Sequence, residues 1–172
     1  MSFNWREEKL SKQHNRVNFD CGNADLNQFL QKYARQSQDR NSSKTYVAID
    51  NHTEQIIGFY TITLSAISPQ KVPSHLSKRF GSHQIPLFTL ARLAVDKNAQ
   101  GKGLGGQLLL KAAQRCMLVA EQVGGVGLLI EAKDQQVASW YQSFGATPLI
   151  DEPLSLILPF QTIKAVLLSL VY

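Results

Sequence analysis

Along the chain, apolar and polar positions alternate, cluster and then recur at helical spacing, and these three patterns set out the elements. The first forty residues read as helical, and within them Leu26, Phe29, Leu30 and Tyr33 recur at i, i+3, i+4 and i+7, with Asn23 or Asp25 as the cap. Thr45–Ile49 and Gln55–Ala66 alternate with β-branched and aromatic residues around the polar connection Asp50–Glu54, which predicts a hairpin. Lys71–Pro86 is polar and punctuated by Pro73, Gly81 and Pro86, so a loop with a short helix over Ser74–Phe80 is expected. Leu87–Val95 is a near-continuous apolar run, the signature of a buried strand.

A long helix is predicted over Leu104–Val123. One row of it holds Leu104, Leu108, Ala112 and Cys116, a second holds Leu109, Ala113, Met117 and Ala120, and Gly124-Gly125 stop it. Val126–Ala132 reads as a second buried strand and Gln135–Phe144 as a helix ended by Gly145. Strands are expected at Thr147–Ile150 and Leu154–Leu158, with Pro159 at the edge of the last. Antiparallel strands followed by a β–loop–α–β–α–β run describe an α/β fold: a mixed, mostly antiparallel sheet with helices on both faces. The pattern of Thr162–Tyr172 does not decide between helix, dimer contact and tail.

Composition narrows the class. At 172 residues, with 44% hydrophobic positions and no linker or repeat, positions 1–172 are expected to form a single domain with its own core. No window reaches the ~18 apolar residues of a membrane span, and the start of the chain lacks an apolar signal region. Cys21 and Cys116 have neither metal-ligand spacing nor the density of a disulfide framework. A cytoplasmic protein without membrane association or metal is therefore expected. The formal charge of +5 is concentrated: Lys71, Lys78, Arg79, Arg92, Lys97 and Lys102 face one acid, Asp96, within positions 71–102, while twelve basic and twelve acidic residues balance elsewhere. An excess of that kind suits a phosphate-rich partner and is also compatible with an ordinary solvated surface.

The segment Arg92–Gly105 carries the clearest chemistry. A strand enters a turn with Gly101, Gly103 and Gly105 and leaves directly into a helix. Missing Cβ atoms admit a bulky anion to the backbone, and the first helical N–H groups lie at the positive end of the dipole. Such a turn is a pyrophosphate seat, to which Lys102 adds charge. A nucleotide-triphosphate loop would need Ser or Thr after Lys102, where Gly103 stands, and a Rossmann fingerprint would need an acid ending a following strand.

Gln100-Gly101-Lys102-Gly103-Leu104-Gly105 is similar to the Gln/Arg-x-x-Gly-x-Gly/Ala loop of the GCN5-related N-acetyltransferases (the GNAT fold). Asp134 through Gly145 resembles that family's Asn-x-x-Ala-x-x-x-Tyr-x-x-x-Gly-Phe helix, with Asp134 for Asn, Val137 for Ala and Ala146 for the final Phe. Phe19-Asp20-Cys21-Gly22, Leu26-Asn27-Gln28-Phe29-Leu30, Thr45–Ala48, Ile57–Tyr60, Leu90–Asp96 and the pair Trp140-Tyr141 resemble the TacT-like acetyltransferase toxins of type II toxin–antitoxin modules. The resemblance runs from about Phe19 to Leu158.

What the resemblance implies is acetylation, from acetyl-CoA, of the α-amine of aminoacyl-tRNA, which blocks translation. It also implies a ribbon–helix–helix antitoxin as partner and a toxin homodimer. The cofactor residues would be Leu93, Ala94, Val95, Gln100, Gly101, Lys102, Gly103, Leu104, Gly105 and Asp134, and Tyr141 would be the general acid. Lys78, Arg79 and Arg92 are expected to meet tRNA phosphates, and Lys97 is a further candidate for the cofactor's own phosphates. His75, His83 and Glu131 read as surface or structural residues rather than bases. The rival readings are an acetyltransferase of the same family acting on a small amine or a protein N-terminus, and a non-catalytic CoA-binding regulator.

Overall fold

Among the described residues, seven strands and six α-helices arise where the apolar pattern places most of them, and their bounds show what the pattern missed. The computed structural model describes residues 4–169. By its internal contacts the chain forms two compact units, one of residues up to 63 with 91–112, the other of 64–90 with residues from 113 onward.

The strands run in the order β1 (Trp5–Lys9), β2 (Lys44–Asp50), β3 (Ile56–Ile67) and β4 (Ile85–Val95), and the first unit holds β1, β2, β3 as far as Thr63 and β4 from Ala91. β1 corrects the helical expectation for the first forty residues. Its sequence, Trp-Arg-Glu-Glu-Lys, has no apolar alternation, and its strand form comes from antiparallel pairing with β2, Trp5 opposite Asp50 and Lys9 opposite Tyr46. β2 and β3 pair antiparallel as expected, with a bulge between Ala48 and Ile49. Thr45 and Thr61 hydrogen-bond across that pair at 2.7 Å in full burial, and the rings of Tyr46 and Tyr60 stack at 5.4 Å.

The helical stretch of positions 24–39 is α1 (Ala24–Gln28), a π-turn Phe29–Tyr33 and α2 (Ala34–Asp39). Asn23 is the cap: its side chain accepts from the Leu26 N–H at 3.0 Å. The core under this stretch holds Leu10, Phe19, Phe29, Leu30, Val47, Ile49, Phe59 and Ala94. The long helix is α4 (Leu104–Val123), as predicted. Its first row is fully buried, whereas Met117 and Ala120 of the second row are only half-buried. β3 admits α4 because position 58 is glycine. A Cβ there would lie 2.8 Å from Leu108 Cδ1 and 3.1 Å from the Ala94 carbonyl oxygen.

In the second unit the order is β4, β5 (Gly127–Glu131), β7 (Glu152–Pro159), β6 (Thr147–Leu149). β4 and β5 are parallel, with Phe88 opposite Leu128, while β5–β7 and β6–β7 are antiparallel, so the sheet is mixed. α3 (Ser74–Ser77) is shorter than expected and ends in turns at Phe80. α5 is Gln135–Gln142, and the tail forms α6 (Phe160–Ser169), with Phe160 and Ile163 buried. Positions 170–172 of the undecided tail lie outside the described residues. Ile67, Val72, Leu76, Ile85, Leu129 and Ile157 are central to this unit's core. Among the described residues no helix is long and apolar enough to cross a membrane.

Candidate functional site

At the end of β4 the chain is pinned before it reaches the glycines. The Asp96 N–H donates to the Ile57 carbonyl at 2.9 Å. The Asp96 carboxylate, only 9% exposed, accepts from the Asn98 N–H at 2.9 Å and the Asp20 N–H at 3.1 Å. A single 3₁₀ turn, Lys97–Ala99, follows, with Ala99 buried beneath it. The Gln100 side-chain amide then donates to two carbonyls, Val95 at 2.8 Å and Cys21 at 3.0 Å.

Beyond Gln100 the turn is open. Gly101 and Gly103 have φ of +76° and +84°, a region that costs other residues about 1–2 kcal/mol. No atom lies within 4 Å of where their Cβ atoms would stand. The Gly103 carbonyl accepts from the Gln107 N–H at 3.2 Å, so α4 begins there, and the N–H groups of Leu104, Gly105 and Gly106 have no acceptor inside the helix. Leu104 buries its side chain and contributes only backbone at the turn. Lys102 is exposed and reaches the Asn98 carbonyl at 3.5 Å. Leu93, Ala94 and Val95 are the last strand residues before this turn, so the first unit holds all the expected cofactor residues except Asp134. These features fit a pyrophosphate: accessible backbone donors, a helix N-terminus and no side chain in the way.

The expected basic surface divides. Lys97 is engaged inside the loop, its ammonium 3.0 Å from the Asp20 carboxylate. The Gly22 N–H, the Asn27 amide and Lys97 together hold the Asp20 carboxyl down to about 2. Lys71 pairs with Glu152 at 3.3 Å. Lys78 and Arg79 are exposed in the second unit, where Arg79 hydrogen-bonds Gln161 and lies 5.9 Å from the Phe80 ring centroid. Arg92 belongs to the first unit and lies over the Phe29 ring, and its partial burial pushes the guanidinium down from its ordinary value.

Tyr141 is on α5 of the second unit and Asp134 immediately precedes that helix. Asp134 is its N-cap and accepts from the Val137 N–H at 2.8 Å. Tyr141 is 3% exposed, with the Trp140 ring edge-on at 4.9 Å, and among the described residues none hydrogen-bonds its hydroxyl. Burial pushes the phenol well above its ordinary value, so the hydroxyl keeps its proton throughout the neutral range. Glu131 accepts from Ser155 at 2.8 Å on the surface, and Cys116 is a core thiol that burial pushes up to about 12. Nothing in the spacing or periodicity of the sequence points to Asp20, Asn27 or Asp96 as site residues. Their one signal is that they lie in stretches that resemble the toxin group.

A family model described as an acetyltransferase (GNAT) domain matches residues 41–145. The chain is 30% identical over 162 residues to the probable toxin TacT of Sinorhizobium fredii (strain NBRC 101917 / NGR234), covering 90% of each. Its fold is similar to that of AtaT complexed with acetyl-methionyl-tRNAfMet, with a TM-score of 0.87 and 28% identity, covering 95% of this chain and 99% of the other. It is also similar to a tyrosine-to-phenylalanine mutant of AtaT bound to the C-terminus of the antitoxin AtaR and acetyl-CoA, with a TM-score of 0.80 and 27% identity, covering 95% and 98%.

Proposed function

Because this chain belongs to the GNAT acetyltransferase family, we propose that it is a toxin that acetylates the α-amine of aminoacyl-tRNA and so blocks translation. The observation that carries this reading is the open turn Gln100–Gly105 at the start of α4, whose backbone donors suit the pyrophosphate of acetyl-CoA. The likeness to AtaT with acetyl-methionyl-tRNAfMet supports the acceptor, and the antitoxin-bound AtaT mutant supports neutralisation by a cognate antitoxin. A ribbon–helix–helix domain in that antitoxin, a toxin homodimer and a cytoplasmic setting, where charged tRNA is found, complete the proposal.

Bound acetyl-CoA supplies the acetyl group as a thioester. The N–H groups at the start of α4, with Lys102, hold the pyrophosphate. The backbone of Leu93, Ala94 and Val95 aligns the pantetheine arm and polarises the thioester carbonyl. The acceptor amine forms the new N–C bond as the C–S bond breaks. Tyr141 gives its proton to the departing sulfur, and the amine's surplus proton goes to water. No carboxylate or histidine is needed for that last step. An α-amine has an ordinary pKa near ~8, so an appreciable fraction is neutral at pH 7, unlike lysine at ~10.4. Asp134 fixes the start of the helix that carries Tyr141, in addition to its expected place beside the cofactor. Lys78, Arg79 and Arg92 meet tRNA phosphates.

The test is transfer of labelled acetyl from acetyl-CoA to total charged tRNA, beside uncharged tRNA and free amines. Label on the charged pool alone, lost with Tyr141→Phe, is expected. Label confined to free amines or protein N-termini would overturn the acceptor assignment while leaving the family intact.

A further inference from the structure

We propose that the turn Asp20–Gly22 is the positioning element of the glycine loop, and that Asp20 and Asn27 act through it to set the affinity for acetyl-CoA. The inference rests on the reading of that loop as the pyrophosphate seat.

No atom lies within 4 Å of where a Cβ of Gly101 or Gly103 would stand, so no neighbouring side chain braces that open side of the seat. A seat that must be ordered by its ligand loses affinity to that ordering. The order comes from the stretch before it, which is tied to positions 20 and 21 at four points. The Asp20 N–H donates to Asp96 at 3.1 Å, and the Asp20 carbonyl accepts from the Lys97 N–H at 2.8 Å. The Asp20 carboxylate holds the Lys97 ammonium at 3.0 Å, and the Cys21 carbonyl accepts from the Gln100 amide at 3.0 Å.

The turn is itself braced. Asp20 Oδ1 accepts from the Gly22 N–H and from Asn27 Nδ2, both at 2.9 Å. Asn27 Oδ1 returns the contact by accepting from the Cys21 N–H at 2.9 Å. Asn27 sits in α1, which Asn23 caps, so a helix outside the loop fixes the loop's approach. The side chain of Asp20 is 50% exposed, whereas its neighbour Phe19 is 3% exposed and packs in the core. Phe19 thus serves the fold and Asp20 the loop. Lys97 becomes part of the brace, which removes it as a free cation for the cofactor's phosphates.

The experiment is calorimetric titration of the full chain with acetyl-CoA, with steady-state kinetics on charged tRNA. Losing hydrogen bonds to a charged group is expected to weaken acetyl-CoA binding by about tenfold or more in Asp20→Ala. The KM for acetyl-CoA should rise equally, while kcat and the KM for tRNA stay within about twofold of wild type. Asp20→Asn keeps an acceptor for Gly22 and Asn27 and should recover most of the loss. A folded Asp20→Ala with wild-type affinity, or one whose loss falls on kcat, overturns the proposal. Should Asp20→Ala not fold, Asn27→Asp decides: it keeps the acceptor for Cys21 and removes the donor to Asp20. It must weaken acetyl-CoA in the same selective way. Lys97→Met made on Asp20→Asn should add no further loss, and an added loss assigns Lys97 to the cofactor and overturns its place in the brace. Failure of the wild-type chain to bind acetyl-CoA would instead remove the pyrophosphate reading, and the wild-type titration separates the two failures.

Discussion

The Arg92 guanidinium lies 3.7 Å from the centroid of the Phe29 ring, so a cation on β4 is fixed by an aromatic from the π-turn that follows α1. A planar guanidinium on an aromatic face keeps its edge donors available, which suits a phosphate contact. Arg92→Gln is expected to weaken tRNA binding and to reduce the slope of log affinity against log salt by about one. Phe29→Leu should reproduce part of the affinity loss while leaving the slope nearly unchanged. Filter binding across a salt series reads both, and an unaltered slope in Arg92→Gln removes Arg92 from the tRNA surface.

Gly103→Val tests the open turn. With no atom within 4 Å of the added Cβ, the main stability cost expected is that of the positive φ, about 1–2 kcal/mol or more for a β-branched residue. Acetyl-CoA binding should nevertheless be lost, because the branched side chain occupies the approach to the backbone donors. Thermal melting and calorimetry separate the two effects, and retained affinity in a folded variant contradicts the seat.

Gly58→Ala tests packing rather than ligand approach. Its Cβ would meet the Ala94 carbonyl at 3.1 Å and the Leu108 methyl at 2.8 Å. Only the methyl can move freely, so a destabilisation of about 1–3 kcal/mol is expected. Chemical denaturation measures it. An unchanged midpoint would show that β3 and α4 have slack the distances do not suggest.

Tyr141→Phe should lower kcat by about a hundredfold or more and leave acetyl-CoA affinity near wild type. The pH dependence follows from burial, which raises the folded phenol above its ordinary value. Rate should climb as the acceptor amine loses its proton, near pH ~8, then stay level to about pH 10. A descending limb beginning below pH 9 would mean that the proton donor is another group.

The Asp20 carboxyl gives a stability signature of opposite direction. Its folded value, held down to about 2, lies below the ordinary carboxylate value, so its contribution is present above pH ~4 and is lost as pH falls through 2. The stability difference between wild type and Asp20→Asn should therefore be full near neutrality and vanish in strong acid. Denaturant titrations at several pH values check it, and a difference that grows toward acid contradicts the assignment.

Much of this architecture is legible in the chain itself. The α4 bounds, the hairpin of β2 and β3, and the strand–turn–helix around Gly101 and Gly103 follow from periodicity and glycine placement, since those elements bury one face or one stripe and the pattern records it. β1 left no such record, because Trp5–Lys9 is half-buried and charged and owes its form to pairing with β2. α6 escaped likewise: its apolar positions become a helix where Phe160 and Ile163 find burial.

The site divides along the same line. The glycine turn, the apolar strand leading to it and a tyrosine at the family's spacing can be read from the chain alone, because each is a local property of a few consecutive residues. The partners of Lys97, Asp20 and Asn27 depend on folding, which joins Asp20 to Lys97 and Asp96 across a long span of sequence. Folding also decides that Lys71 is paired and that Arg92 lies on Phe29. Charge is written in the sequence, but whether a charge is spent on a neighbour or kept for a ligand depends on separations of a few ångströms, which only the folded chain sets.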